Sequence, residues 1–128
     1  MAQLLRVPGS RPLVIDFEGD PARPLATRRA PHTPWWDLAC LLRSIDHVGS
    51  AASRRADGAD PEGWIGASSR AARQAYEARA GARADPGVLH GLEVAKECFE
   101  LRYAQRVLPE WAYAPRLGLE RLRRRGPE

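Results

Sequence analysis

The sequence predicts an α+β domain, mostly α-helical, in which a β-hairpin precedes three or four packed helices. Two short apolar runs, at residues 4–7 and 13–17, flank a Pro-Gly-Ser-Arg segment that is typical of a hairpin turn. Further along, proline-marked helix starts precede segments whose apolar residues recur at helical spacing. At 128 residues the chain is long enough for one domain with its own core.

After the hairpin, residues 18–33 are rich in proline and show no sustained periodicity, so we predict an irregular surface segment there. Thr33-Pro34 provides an N-cap and a proline at the first helical position, which predicts a first helix stopping near Gly49. Asp60-Pro61 repeats this start for a second helix, running to about Ala80 with Gly81 beyond it.

A third helix is predicted over residues 87–108, because Asp85-Pro86 opens it and Pro109 ends it. We expect one face of this helix to carry its apolar residues, which are Val88, Leu92, Ala95, Phe99 and Tyr103. The last segment, residues 110–125, is apolar at first and then strongly basic. It predicts a short helix interrupted at Pro115.

Composition excludes several classes of protein. Apolar runs such as residues 38–42 are far too short to span a bilayer, and the first residues lack the zones of a signal peptide, so we expect a cytoplasmic protein without membrane association. Cys40 and Cys98 lie within apolar helical patterns and lack metal-ligand spacing. We expect both to be reduced core residues rather than a disulfide or zinc ligands.

The net charge of +4 permits an anionic partner, but Lys96 is the only lysine, and so large an arginine excess is also typical of GC-rich genomes. The basic end, Arg121 and residues 123–125, could contact phosphate, RNA or an acidic partner. Arginine also favours a helix carboxy terminus because of the helix dipole. Without an aromatic platform or a groove-reading motif, nucleic-acid binding is not expected.

The first candidate for chemistry is the Val-Ile-Asp-Phe-Glu-Gly-Asp-Pro stretch at residues 14–21. It places carboxylates at the exit of an apolar strand, where Mg²⁺ would find oxygen ligands. Asp16 and Glu18 point to the same side if the strand geometry persists. A solvated turn after a strand explains the same residues without function.

This stretch resembles the Asp-Phe-Glu-Gly-Glu-Pro signature of bacterial maltokinases and their relatives, which share the kinase-like fold of aminoglycoside phosphotransferases. The resemblance implies that residues 1–128 form the carboxy-terminal lobe of a protein-kinase-like sugar kinase, with a metal-binding hairpin at 1–21 and a helical substrate-binding part at 34–125. It implies that Gln3 and Asp16 hold Mg²⁺ against the phosphates of ATP, while Glu18 assists a second ion.

In that family the catalytic aspartate stands five residues before the glutamine that Gln3 matches, and this chain has no residue there. The resemblance therefore implies that the chain is inactive alone and needs an amino-terminal lobe, encoded upstream or separately. A gene fragment, a misplaced start codon, a partner of a separate lobe and a relic all remain open.

Residues 34–47 resemble the family's Ser-Pro-x-x-Asp-Val-Ala-x-Met-Leu-Arg-Ser-Phe-Asp-Tyr segment. The resemblance implies that Asp37 braces the catalytic loop through hydrogen bonds, and that Arg43 gives structural support. A first-turn carboxylate that meets the helix dipole explains Asp37 equally well.

The third helix carries a stripe of carboxylates, because Glu93, Glu97 and Glu100 follow one another at i, i+4 and i+7. Such a stripe repels itself, and a cationic or hydroxyl-rich ligand would relieve the repulsion. A solvated acidic face, partly offset by neighbouring basic residues, explains it without function.

Residues 97–111 resemble the sugar-binding end of the same family, which in maltokinases reads Asp-Lys-x-x-Tyr-Glu-x-x-Tyr-Glu and then Arg-Pro-x-Trp. Glu100, Tyr103 and Trp111 keep this spacing, but Ala95 and Ala104 replace two of the maltokinase acids. The pattern is closer to the Glu-Cys-x-Glu and Leu-Pro-x-Trp variant of actinobacterial glucosamine kinases.

This resemblance implies a sugar pocket formed by Glu97, Glu100, Tyr103 and Trp111. A glutamate would pair with the ammonium of glucosamine, and Trp111 would cover the C–H face of the sugar. The alternative for Trp111 is a core aromatic. The implied function is ATP-dependent phosphorylation of glucosamine, with a maltokinase that makes maltose 1-phosphate, or a non-catalytic interaction module, as the alternatives.

Overall fold

The computed structural model describes residues 4–9, 11, 13–15, 24–55 and 60–127, which divide into two compact units, Met1–Thr33 and Pro34–Glu128. The first unit contains strands β1 (Leu4–Leu5) and β2 (Leu13–Val14) and helix α1 (Leu25–Arg29). The second contains helices α2 (Trp35–Ser53), α3 (Pro61–Ala80), α4 (Pro86–Val107) and α5 (Tyr113–Arg125), with a short 3-10 helix (Pro109–Trp111) before α5. The predicted order, a hairpin and then packed helices, is confirmed.

The hairpin in the first unit is antiparallel, with Leu4 opposite Val14 and Leu5 opposite Leu13. Gly9 in the connecting turn has a φ of 75°, a left-handed conformation that glycine adopts without steric cost. The paired strands are shorter than the apolar runs that predicted them, two residues each.

Helix α1 lies where we predicted only irregular structure. Pro24 occupies its N-cap position, where the missing backbone N–H costs nothing, and the next proline is Pro31, beyond the last turn. The prolines therefore limit this helix to five residues but do not prevent it.

Helix α2 departs from its predicted bounds at both ends. Pro34, rather than Thr33, occupies the N-cap position, and no side chain caps the helix there. The helix also continues past Gly49 to Ser53. Gly49 is buried inside it, and a Cβ there would lie 2.4 Å from Cγ1 of Ile65, so this glycine permits the close approach of α3 instead of ending α2.

Helices α3 and α4 begin as predicted, each with an aspartate cap followed by a proline. Oδ1 of Asp60 accepts hydrogen bonds from the backbone N–H groups of Glu62 and Gly63, at 3.0 and 3.2 Å. Oδ1 of Asp85 accepts one from Val88 at 2.9 Å. Gly81 follows α3 with a φ of 68°, the left-handed cap that a glycine favours.

Helix α5 is continuous through Pro115, so the predicted interruption was wrong. Pro115 is the third residue of the helix, within the first turn, where a backbone N–H has no partner inside the helix. The proline is buried and supports the start of the helix rather than breaking it.

The apolar core of the second unit lies where α2 packs against the end of α3 and the start of α4. Its buried members are Leu38, Ala39, Leu42, Ala84 and Leu89, and partly buried Trp35, Ala72, Tyr76 and Leu92 pack against them. On α4 the expected apolar face is not the buried one. Val88 and Tyr103 are exposed, whereas Leu89, Glu93, Glu97 and Ala104 are buried.

Neither cysteine is the buried core residue that we predicted. Cys40 is half-buried and Cys98 is exposed, because the buried face of α4 lies on another side of the helix. In the described ranges, no helix combines the length and the apolar character needed to cross a bilayer.

Candidate functional site

The face on which α4 packs against α2 contains charged side chains that are withdrawn from water. Glu93 and Glu97 on α4 are 1% and 0% exposed, and Arg43 and Asp46 on α2 are 3% and 1% exposed. A buried charge is tolerated only when it is paired and hydrogen-bonded. The solvated acidic face that we considered for α4 is therefore wrong for Glu93 and Glu97.

Arg43 is the cation at the centre of this buried charge cluster. Its Nη2 lies 2.8 Å from Oε1 of Glu93, to which its Nε also donates at 3.1 Å. Its Nη1 lies 3.2 Å from Oδ2 of Asp46 and 3.3 Å from Oε1 of Glu97. One guanidinium thus joins three carboxylates, because its planar fork presents several N–H donors in fixed directions.

Helix α5 supplies the second layer of cations. Nη1 of Arg121 donates to Oδ1 of Asp46 at 2.9 Å and to Oγ of Ser50 at 2.8 Å, and its Nε donates to Oε1 of Glu62 at 2.7 Å. Nη2 of Arg125 donates to Oε2 of Glu93. Part of the basic carboxy-terminal run therefore turns inward and balances the cluster.

Glu97 extends the cluster towards the far end of α4. Its Oε2 lies 2.8 Å from Nε2 of His47, and since a carboxylate only accepts, the ring nitrogen donates. Gly118 on α5 lies directly against this carboxylate, because a Cβ at that position would stand 2.2 Å from Oε1 of Glu97. The glycine makes room for the buried glutamate between α4 and α5.

His47 also lines a cavity that brings together three of the four predicted sugar-binding residues. Glu100, Tyr103 and Trp111 share the wall of this half-open space of about 160 Å³ with His47. The remaining wall is formed by Ala104, Leu108, Ala114 and Pro115. We call this space the Trp111 cavity. The fourth predicted residue, Glu97, lies behind it and contacts His47.

Trp111 forms an aromatic platform at this cavity. Its ring stacks on Tyr113, with centroids 6.1 Å apart and planes inclined by 22°. The guanidinium carbon of Arg54 lies 4.1 Å from the centroid of the Tyr113 ring, so Tyr113 also makes a cation–π contact. Trp111 itself is 41% exposed, so it is not the core aromatic that we considered as the alternative.

Glu100 contributes the carboxylate of the Trp111 cavity. It is half-buried and forms an ion pair with Lys96, one turn earlier on α4. The Lys96 ammonium also lies 5.4 Å from the centroid of the Phe99 ring. The chain's only lysine thus pairs with Glu100, one of the residues that the resemblance to sugar kinases indicated.

The predicted metal ligands Gln3, Asp16 and Glu18 lie outside the described residues. Within the described ranges, no group of three or more histidine, cysteine, aspartate or glutamate side chains is arranged to hold a metal ion. The magnesium site stays a prediction.

Asp37, predicted to brace the catalytic loop, is an exposed residue in the first turn of α2. Burial raises the pKa of Tyr76, and the negative charge of Asp37 adds to this effect. The Tyr76 hydroxyl donates to the backbone carbonyl of Pro34 at 2.8 Å. The bracing role of Asp37 stays a prediction.

Sequence reasoning assigned no role to His47 or Asp46, and it considered Arg121 and Arg125 only as part of a basic end that could contact an anionic partner. One signal was present, because residues 43, 47 and 50 follow the same i, i+4, i+7 spacing as the three glutamates of α4. A polar stripe on each of two helices indicates that the two stripes face each other. The partners from α5 have no comparable local signal.

Comparison with known proteins relates this arrangement to one group of enzymes. No family model matches the chain. It is 37% identical over 127 residues to a glucosamine kinase of Streptacidiphilus jiangxiensis, covering 93% of this chain and 29% of the relative. It is 33% identical over 131 residues to a glucosamine kinase of Mycolicibacterium smegmatis, covering 95% of this chain and 32% of the relative.

These similarities support a relationship to glucosamine kinases. They extend over nearly all of this chain, so they include α2, α4 and the residues around the Trp111 cavity. The chain spans about a third of the length of these curated relatives.

Proposed function

We propose that this chain forms the sugar-binding part of an ATP-dependent glucosamine kinase, which transfers a phosphoryl group to a hydroxyl of the sugar. The observation that supports this most directly is the Trp111 cavity, where Glu100, Tyr103 and Trp111 lie together beside His47. The similarity to two glucosamine kinases supports the same substrate.

The chemistry of the cavity suits an amino sugar. The Glu100 carboxylate would pair with the sugar ammonium, and the exposed face of Trp111 would cover the apolar C–H face of the ring. The Tyr103 hydroxyl can both donate to and accept from sugar hydroxyls. Because Lys96 already pairs with Glu100, the ammonium of the substrate would take the place of the lysine ammonium on this carboxylate.

Glu97 would act on the sugar through His47 rather than by direct contact. Its carboxylate is 0% exposed, and both of its oxygens already accept from Arg43 and His47. The bond from Nε2 orients the imidazole, and in the neutral ring it leaves Nδ1 as an acceptor for a sugar hydroxyl. We therefore assign Glu97 a positioning role for a histidine that lines the cavity.

We assign nucleotide and metal binding to residues outside the Trp111 cavity. Following the resemblance to sugar kinases, Gln3, Asp16 and Glu18 would hold Mg²⁺, which neutralises the phosphates of ATP during phosphoryl transfer. The aspartate that orients the sugar hydroxyl would belong to a lobe encoded upstream or separately. We further propose a cytoplasmic location for the enzyme.

Calorimetric titration with glucosamine tests the substrate assignment on the chain joined to its upstream lobe. We expect Glu100→Gln and Trp111→Ala each to weaken glucosamine binding at least tenfold, because each removes one recognition element. Glu120→Gln and Trp64→Ala are matched controls, since Glu120 is exposed on α5 and Trp64 is 45% exposed. Equal losses in the controls would contradict the Trp111 cavity as the sugar site.

The choice of sugar separates the alternatives in the same titration. If Glu100 recognises the ammonium, N-acetylglucosamine, which lacks that charge, should bind at least tenfold more weakly than glucosamine. Tighter binding of maltose would favour the maltokinase alternative. No binding of any of these sugars by the joined protein would favour the non-catalytic interaction module.

The catalytic part of the proposal has its own test. The genomic DNA upstream of Met1 should encode, in the same frame, the family's catalytic aspartate and a preceding lobe. The protein that includes this lobe should phosphorylate glucosamine with Mg·ATP, and Asp16→Ala should abolish turnover while glucosamine binding persists. Unchanged turnover in that variant would contradict the metal assignment.

A further inference from the structure

A second cavity adjoins the charge cluster, and five of its eleven lining residues are arginine, beside the carboxylates Asp46 and Glu62. Its wall includes Arg43, Arg70, Arg121, Arg124 and Arg125, from α2, α3 and α5, and it encloses about 450 Å³. That volume lies within the range of about 300–1,000 Å³ that is typical of small-molecule sites. We call it the arginine cavity. The Trp111 cavity shares none of these residues.

The arginines of this cavity fall into two groups. Arg43, Arg121 and Arg125 are committed to the carboxylates of the charge cluster and of Glu62. Across the residues that the structure describes, Arg70 and Arg124 have no carboxylate partner. The two carboxylates of the wall, Asp46 and Glu62, are already paired with Arg121, so Arg70 and Arg124 are the guanidinium groups of the wall without an ion pair in the described residues.

The surroundings of Arg70 favour a ligand at this position. Ser69, the preceding residue, lines the same cavity, and its Oγ is buried without a hydrogen-bond partner among the described residues. A buried hydroxyl without a partner is costly, and an anion in the cavity would accept a hydrogen bond from it. Gly66 makes room for the guanidinium, because a Cβ there would lie 3.2 Å from Nη1 of Arg70.

We propose that the arginine cavity binds a small phosphate-bearing molecule, with Arg70 and Arg124 as the charged contacts and Ser69 as a hydroxyl donor. Two unpaired guanidinium groups match the charge of a phosphate dianion, and the planar fork of arginine fits phosphate oxygens bidentately. This site is separate from the Trp111 cavity and does not depend on the proposed sugar kinase activity.

The test is calorimetric titration of the 128-residue chain with pyrophosphate and inorganic phosphate, and with citrate as a carboxylate of similar charge. We expect pyrophosphate to bind with a dissociation constant below about 1 mM, and more tightly than citrate. The double variant Arg70→Gln, Arg124→Gln should weaken this binding at least tenfold. Since neither side chain has an ion-pair partner in the described ranges, circular dichroism should show an unchanged helical fold.

Two further variants separate a built site from general charge attraction. Arg79→Gln, Arg106→Gln removes the same charge from exposed positions outside the cavity and should change pyrophosphate affinity less than twofold. Gly66→Ala should leave the fold intact, since only the flexible end of Arg70 must shift, and should still weaken pyrophosphate binding several-fold.

Three outcomes would overturn the proposal. They are no binding of phosphate or pyrophosphate by the unaltered chain, equal weakening by the two double variants, and tighter binding of citrate than of pyrophosphate. Because Arg70 and Arg124 do not line the Trp111 cavity, their variants should leave glucosamine titrations of the joined protein unchanged. The two proposals can therefore fail independently.

Discussion

The two halves of α2 bury different kinds of side chain. The amino-terminal half places Leu38, Ala39 and Leu42 in the apolar core. The carboxy-terminal half places Arg43, Asp46 and Ser50, which are at most 3% exposed, in the charge cluster. The apolar half gains stability from area removed from water, whereas the charged half needs every ion to keep its partners.

The two halves of α2 should therefore differ in how well they tolerate substitutions. An apolar contact is non-directional, so neighbouring side chains can partly fill a small deletion. A buried ion pair is directional, and removing one partner leaves the other charge uncompensated in a medium of low polarity.

Arg43→Met should produce the largest loss. Methionine keeps much of the side-chain volume but leaves Asp46, Glu93 and Glu97 without their shared cation. We expect the free energy of unfolding in urea to fall by about 3–5 kcal/mol, the typical cost of breaking a buried pair. Arg102→Met, at an exposed position of α4, should change it by less than about 0.5 kcal/mol. Equal effects would show that Arg43 does not hold the cluster.

Leu38→Ala makes the corresponding change in the apolar half. Leu38 is 0% exposed, so the substitution removes buried methyl groups and leaves a cavity. We expect a loss of about 2–5 kcal/mol in urea unfolding, depending on how far Trp35 and Leu42 can move in. Val48→Ala, at an exposed valine of the same helix, should cost much less. A comparable cost at Val48 would contradict the position of the core.

Gly118→Ala tests the contact between α5 and the charge cluster. The added methyl group would collide with the Glu97 carboxylate and disturb its bonds to Arg43 and His47. We expect a loss of about 1–3 kcal/mol in thermal unfolding, although alanine favours helices. Gly91→Ala, where a Cβ would meet no atom within 4 Å, should instead raise stability by about 1 kcal/mol. A stabilising Gly118→Ala would contradict this packing.

Glu77 gives the smallest effect and a defined pH dependence. Its Oε1 accepts from Nε of Arg73 at 3.0 Å and from the backbone N–H of Ala84 at 3.3 Å. The hydrogen bond from Arg73 is the main cause that holds the pKa of Glu77 below its ordinary value of 4.5. A carboxyl group whose pKa is lower in the folded than in the unfolded state stabilises the fold at pH values above its unfolded pKa. This contribution disappears as the pH falls through the pKa of the folded state.

We therefore expect Glu77→Gln to lower the free energy of unfolding by less than about 1 kcal/mol at neutral pH. The difference from the unaltered chain should shrink as the pH falls below 4.5. Urea unfolding at several pH values measures it, with Glu120→Gln as an exposed control. A difference that grows with acidity would contradict the assignment.

Much of the candidate site could be anticipated from motif spacing. The resemblance to sugar kinases singled out Glu100, Tyr103 and Trp111, and the structure brings these residues to one cavity. It did not single out His47, because the sequence around a single histidine on a helix does not indicate whether its side chain lines a cavity or faces solvent. The contacts of His47 with Glu97, 50 residues away in sequence, give it that place.

Local sequence signals were sufficient to place the ends of α3 and α4, but not those of α1, α2 or α5. Aspartate caps, prolines in the first turn and Gly81 act within a few residues of their own position, so their effects are visible locally. Only the tertiary structure decided which face of α4 is buried. A glutamate can leave water only when a cation meets it, and Arg43 reaches Glu93 and Glu97 across 50 and 54 residues of chain.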